Sequence, residues 1–372
     1  MAIQKAVEKD EVLLHTYSFL SLCANDDVPL ETVLKFVKAQ IKDQLEVLMK
    51  TKIVKSSLSL VHSEEGGERT YLRLHKVVHE ALKRGEIPYL KSFESDHTMA
   101  EAVKIFKVEL DENDENYAFC KKLRPHCESL LKQMTSEFSL DQTTFLERFA
   151  PFLDLNTVID WLHTLTWVCK KTSYFFFAKI VINLAHNLLE NLDDTSKGAL
   201  TLQWKVLNVS GVVYDSLREY NQAKELFEKA LMISKQIFDE DHADVASIYN
   251  NLALVYYNLK EYNQAKHLQE KALMIRKKSF GEDHSDVEAS YNNLALVYNE
   301  LGEYNQAKEL HEKALMISKK ICGEDHADVA RSYNNLALVY YNLKEYNQAK
   351  QLQEKALKND KLEAKEGVLH VV

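Results

Sequence analysis

Apolar residues in the second half of the chain recur in threes and fours. They fall at Val245, Ile248, Tyr249, Leu252, Ala253, Val255, Tyr256 and Leu259, and then at Ala265, Leu268, Ala272 and Ile275. Each set runs along one side of an α-helix. The polar stretch Asn258 to Asn263 separates the two as a short turn, and Gly281-Glu282-Asp283-His284 ends the second helix and opens the next. Gly281 is predicted to supply a left-handed C-cap, while Asp283 and Asp286 place negative charge at the N–H groups of the following helix. The unit predicted is a helical hairpin.

The hairpin repeats. Glu-Tyr-Asn-Gln-Ala-Lys begins at Glu219, Glu261, Glu303 and Glu345, each start 42 residues after the last, which is the signature of stacked copies of one unit. Four copies follow: 201–242, 243–284, 285–326 and 327–368. Small residues mark the close crossing of the two helices in each, Ala253 with Ala265, Ala295 with Ala307 and Ala337 with Ala349, with Gly211 and Ala223 in the first copy. The spaced set Tyr249, Leu252, Ala253, Tyr256, Ala265 and Ala272 resembles the tetratricopeptide repeat. Its 42-residue form, with the run GEDHSDVEASYNNLALVY from Gly281, is similar to the variant in kinesin light chains and nephrocystin-type proteins. The resemblance implies a mainly α fold, a tetratricopeptide-type α-solenoid in which hairpins form a right-handed superhelix. The proline common near the end of such repeats is missing, since none follows Pro151, and the copy at 201–242 is degenerate.

Residues 1–90 have a different grammar. Leu13 to Leu22, Leu30 to Val37 and Gln44 to Leu48 are predicted as short helices. Ser57 to His62 and Glu68 to His75 alternate around Gly66-Gly67 as a β-hairpin, and helix returns from His75 to Lys83. Three helices and a hairpin make a small winged-helix α+β domain. Tyr71 to Lys83 resembles the end of the winged-helix domain in NB-ARC (STAND) signalling NTPases, which places His75 at that family's nucleotide-contacting histidine. Lys76 replaces the usual aspartate, and nine glycines include no GxxxxGK[ST] phosphate loop. His75 is therefore read as a vestigial nucleotide sensor, in the C-terminal part of a protein whose nucleotide-binding module lies upstream and outside this chain. Residues 91–200, apolar-rich with Lys121 to Met134, Asn156 to Cys169 and Tyr174 to Leu192, are predicted to be a helical linker of diverged hairpins.

On first helices of tetratricopeptide-like hairpins, which line the concave side, residues not needed for the core form a second stripe. Ser247, Asn250, Leu254 and Tyr257 step by three, four and three; their counterparts are Ala289, Asn292, Leu296 and Asn299, then Arg331, Asn334, Leu338 and Tyr341. Stacking would align Asn250, Asn292 and Asn334 into a ladder flanked by Asn251, Asn293 and Asn335. A carboxamide offers two donors and an acceptor, so a row of them can hold the backbone of an extended peptide. With Arg331 and Lys205 beside it, the groove favours an acidic peptide or carboxylate. The charged second-helix residues Lys266, Glu270, Lys271, Arg276, Lys277 and Lys278 are expected on a solvated convex face.

Composition narrows the partners. The chain has 372 residues, 46% of them apolar, enough for two or three domains. A net charge of -9, with 13 Lys plus Arg against 13 Asp plus Glu in residues 1–90, disfavours nucleic acid. No signal peptide and no run of about 18 apolar residues is present. Five cysteines in no paired spacing suggest thiols in a reducing compartment, hence a cytoplasmic protein without a membrane partner. Glu-Asp-His, at Glu282 and Glu324, is explained by N-capping, so no metal or other cofactor is expected. No catalytic motif is found. The reading is a non-enzymatic protein-interaction scaffold. A kinesin light chain-like cargo adaptor ranks behind it because no sustained heptads precede residue 200, and a winged-helix DNA-binding regulator falls on charge balance.

Overall fold

A computed structural model of the chain describes residues 10–23, 28–41, 59–63, 69–73, 96–112, 117–134, 153–189 and 196–369. Among these residues there are fourteen helices and three strands. The chain divides into two compact units, Met1–Val209 and Ser210–Val372.

In the first unit α1 (Glu11–Leu22) is followed by β1 (Val28–Pro29), α2 (Leu30–Gln40), β2 (Ser59–Ser63) and β3 (Arg69–Arg73), then α3 (Asp96–Glu112), α4 (Tyr117–Met134), α5 (Leu155–Lys171) and α6 (Phe175–Leu189). Asp10 caps α1 by accepting the Val12 N–H at 2.9 Å, and Asp154 caps α5 through the Thr157 N–H at 2.9 Å. The core is aromatic where α1, α2 and α3 meet. Phe19 stacks on Phe36 with ring centroids 4.6 Å apart and lies 5.4 Å from Phe106. Gln133 on α4 donates to the Leu22 carbonyl at 3.1 Å, and Lys35 pairs with buried Glu109 at 2.7 Å.

The expected hairpin is present as antiparallel β2 and β3, with Val61 opposite Tyr71. Not foreseen was β1, which pairs with the other edge of β3, Val28 opposite Leu72, giving the order β1-β3-β2. Two residues are too few to show alternation, and Pro29 is tolerated because β1 lies at the sheet edge. The Gly66-Gly67 turn, the helices expected at 44–48 and 75–83, and His75 lie outside the described residues.

α7 (Lys197–Ser216) spans the division. The second unit continues with α8 (Tyr220–Ile237), α9 (Ala243–Asn258), α10 (Tyr262–Phe280), α11 (Ser285–Glu300), α12 (Tyr304–Cys322), α13 (Ala327–Asn342) and α14 (Tyr346–Leu369). Each core draws on three consecutive helices. Val245 and Tyr249 of α9 pack with Ala272 and Ile275 of α10 and Leu231 of α8; Val287 and Tyr291 with Ala314, Ile317 and Leu273; Val329 and Tyr333 with Ala356 and Leu315. Each of these tyrosines is thus covered from two hairpins, its own and the one before.

The small residues sit where the pattern placed them. Ala253, Ala265, Ala295 and Ala307 are fully buried, and Ala295 and Ala307 share a cluster with Val339 of the next hairpin. The turns within hairpins close through a left-handed residue: Arg218, Lys260, Gly302 and Lys344 have φ between 62° and 76°.

Between hairpins the caps differ from expectation. Gly281 and Gly323 have φ of 84° and 85°, but their ψ of 171° and 165° is extended, so neither forms the left-handed cap predicted. The helix N-caps are imidazoles rather than aspartates. Nδ1 of His242, His284 and His326 accepts the N–H of Asp244, Asp286 and Asp328 at 3.2, 3.1 and 3.1 Å. Asp286 remains in the first turn, where its charge suits the helix dipole.

Gly211 is the tightest of the small positions. A methyl there would lie 2.7 Å from the ring of buried Phe227. Gly211→Ala would gain about 1 kcal/mol of helix propensity but overpack the crossing by roughly 1–3 kcal/mol. We expect a net loss of stability in chemical denaturation, relieved when Phe227→Leu is added.

Candidate functional site

The stripe predicted to bind peptide lies on the first helices α9, α11 and α13, and the array uses much of it internally. Asn250 is buried. Its Oδ1 accepts from Gln269 Nε2 of the paired helix at 3.3 Å and from Asn293 Nδ2 of the next hairpin at 2.8 Å, while its Nδ2 donates to Asn251 at 3.4 Å. In α11, Asn292 donates to Glu288 at 2.6 Å and its Oδ1 lies 2.9 Å from His311 Nδ1. An amide oxygen only accepts, so Nδ1 carries the proton. In α13, Asn334 is exposed and Asn335 half-buried.

The remaining stripe residues follow the same gradient. Ser247 donates to the Ala243 carbonyl at 3.1 Å. Ala289, Leu254, Leu296, Tyr257 and Asn299 are half-buried, and Asn299 accepts from Asn342 at 2.7 Å. Leu338 and Tyr341 are 50% and 61% exposed. Both cations assigned to the groove are paired: Arg331 with Asp328 at 2.9 Å, and Lys205, within the first unit, with Asp160 at 3.4 Å.

The second helices are only in part the solvated faces expected: Glu270 and Lys278 are exposed and Lys266, Lys271 and Lys277 half-buried. Arg276 is buried, and its Nη1 donates to Ser290 Oγ at 2.8 Å and to the Asp286 carbonyl at 3.2 Å. Ala265, Gln269, Ala272 and Arg276 lie four, three and four apart, so the stripe carrying the small residues also carries these two polar ones. That spacing was the overlooked signal. Lysines of the same helices reach across to the following hairpin. Lys224, Lys266 and Lys308 lie 4.5, 4.3 and 4.7 Å from the rings of Tyr256, Tyr298 and Tyr340. Those hydroxyls donate to Glu228, Glu270 and Glu312 at 3.2–3.3 Å.

Two hollows lie off the stripe. One of about 430 Å³ is bounded by Lys277, Glu282, Asp283, Tyr291, Lys313 and Lys320, where Lys277 pairs with Glu282 at 2.5 Å and Lys320 with Asp283. The hydrogen bond from Lys277 holds Glu282 below the usual carboxylate range. The other, about 490 Å³ in the first unit, includes Lys107, Thr157, Asp160 and Lys205, and its charges are likewise paired. Cys23, Cys120, Cys127 and Cys169 are buried; burial pushes the Cys169 thiol up to about 12 and Cys127 well above the usual thiol value. Cys322 is exposed.

The tetratricopeptide repeat family model matches three overlapping stretches, 205–278, 244–320 and 286–361. Residues 205–361 are tetratricopeptide repeats. Among solved structures, BtubC (BKLC) from P. vanneervenii is similar at 20% identity over 70% of this chain and 92% of its own, with a TM-score of 0.50. A variant of a putative kinesin light chain from Podosopora anserina with nearly identical TPR-like repeats is similar at 19% identity over 57% of this chain and 99% of its own, also with a TM-score of 0.50. At these identities the likeness is one of fold. No curated protein sequence matches the chain. Among the described residues no helix is long and apolar enough to cross a membrane.

Two outcomes follow from the polar contacts of the tetratricopeptide array. Asn250→Ala removes the acceptor shared by Gln269 and Asn293, and should cost about 1–3 kcal/mol in denaturant titration, whereas Asn334→Ala should stay within about 0.5 kcal/mol of the parent. His311 is buried, and burial lowers its pKa to about 4. Folding therefore holds it neutral, the unfolded chain binds the proton more tightly, and stability is lost as pH falls from about 6.5 toward 4. The equivalent residue is Gln269 in one neighbouring copy and Gln353 in the other. His311→Gln should abolish about 1–2 kcal/mol of the destabilisation seen between pH 7 and pH 5.

Proposed function

We propose that the chain is a non-enzymatic scaffold that holds an extended peptide against the first-helix stripe of its repeats, centred on α13. Tetratricopeptide repeats generally mediate protein–protein interaction. The observation that carries the finer reading is the state of the stripe residues: Arg331, Asn334, Leu338 and Tyr341 stand exposed together, while Asn250 and Asn292 are engaged within the array. Leu338 and Tyr341 offer apolar area, Asn334 offers two donors and an acceptor to a peptide backbone, and Arg331 adds a guanidinium at one end. An acidic peptide is the favoured class, because a ligand carboxylate can compete with Asp328 for Arg331. Leu254, Tyr257, Leu296 and Asn299 would continue the contact along α9 and α11.

We infer that the front of the chain is a winged-helix domain from the C-terminal part of an NB-ARC-like signalling protein. The winged-helix reading is supported by the sheet order β1-β3-β2, in which a hairpin gains a strand from between α1 and α2, and the NB-ARC-like reading rests on the resemblance of Tyr71 to Lys83 alone.

The test is selection of short peptides with free carboxyl termini against the full chain. Enriched peptides should be acidic, and the double variant Leu338→Asp, Tyr341→Ala should weaken them by about tenfold or more with helicity and melting unchanged. Failure to enrich any peptide, or equal binding to the double variant, overturns the reading.

A further inference from the structure

The turn between α12 and α13 differs from its two sisters at one chemically decisive position. In the sisters, Phe238 and Phe280 stack on the capping imidazoles of His242 and His284 with ring centroids 4.4 Å apart. The residue in that place before His326 is Cys322. The capping imidazole thus exchanges an aromatic face for a thiol, and it keeps the aspartate two residues on.

The three side chains converge. Cys322 Sγ, a ring nitrogen of His326 and a carboxylate oxygen of Asp328 lie within 4.8 Å of one another. Sγ is 4.0 Å and Nδ1 3.4 Å from Asp328 Oδ2. A tetrahedral ion with one sulfur bond of about 2.3 Å and nitrogen and oxygen bonds of about 2.0 Å spaces its ligand atoms roughly 3.3–3.6 Å apart. Closing the set therefore requires its ligand atoms to draw together by at most about 1.3 Å, within the reach of an exposed turn.

We infer that Cys322, His326 and Asp328 form a site for a borderline-soft divalent cation of the zinc class, with the fourth position open to solvent. One sulfur, one imidazole nitrogen and one carboxylate oxygen suit such an ion and ill suit magnesium or calcium, which take oxygen. Binding replaces the Cys322 S–H bond with a metal–thiolate bond and releases that proton to solvent. The Nδ1 lone pair passes from the Asp328 N–H to the ion, so the helix cap is given up. Asp328 coordinates through Oδ2 and leaves Oδ1 to Arg331, 2.9 Å away. The ion joins the last residue of α12 to the first turn of α13, stapling one hairpin to the next.

The probe is Co²⁺ added to the full chain under reducing conditions. One equivalent should bind with a thiolate-to-cobalt charge-transfer band, and Zn²⁺ should displace it. Cys322→Phe restores the residue of the sister turns, so the fold is kept; it should remove the band and lower affinity about 100-fold. Phe280→Cys should create a second equivalent with the same band, from the thiolate this substitution introduces beside His284 and Asp286. Absence of a band in the parent, its persistence in Cys322→Phe through the buried cysteines, or a single equivalent in Phe280→Cys each overturns the assignment.

Discussion

The core tyrosines of the array are shared between neighbouring hairpins. Tyr249, Tyr291 and Tyr333 each share a cluster with Leu231, Leu273 or Leu315 from the helix before, and everything else in the second unit follows from that sharing at each step. The crossing alanines let paired helices approach closely enough for the tyrosine to reach the seam. The lysine, tyrosine and glutamate contacts then repeat across each junction at the same heights. Stability in such a structure is a sum of nearest-neighbour terms, so a defect weakens the junctions on either side and leaves distant ones intact.

The same dependence divides the polar residues between architecture and recognition. Asn250 lies between two hairpins and is bonded to both, and its desolvation is offset by Gln269 and Asn293. Asn334 holds the equivalent place in α13 and is exposed. A residue's place in the stack therefore decides its work, and identical letters in successive copies need not have identical roles.

This also explains what could and could not be read from the sequence. Turn positions and crossing residues were legible because apolar spacing and a 42-residue period report on packing shared by all copies. The partition of Asn250, Asn292 and Asn334 was not, because it depends on neighbours rather than on the residue. Arg276 was misread as surface, since a long charged side chain looks solvated until the stripe through Ala265 and Ala272 is extended to it. β1 escaped because two residues carry no alternation, and the imidazole caps because aspartate, the commoner cap, stands beside each histidine.

The turns within hairpins carry one more consequence. Three of the four place a lysine or arginine in the left-handed conformation, at a cost of roughly 1 kcal/mol each. The turn joining α11 to α12 places Gly302 there and bears no such cost. That hairpin closes with the least backbone strain, and it lies in the interior of the array. A lysine or arginine at position 302 would bring into this turn the strain that its three sisters already carry.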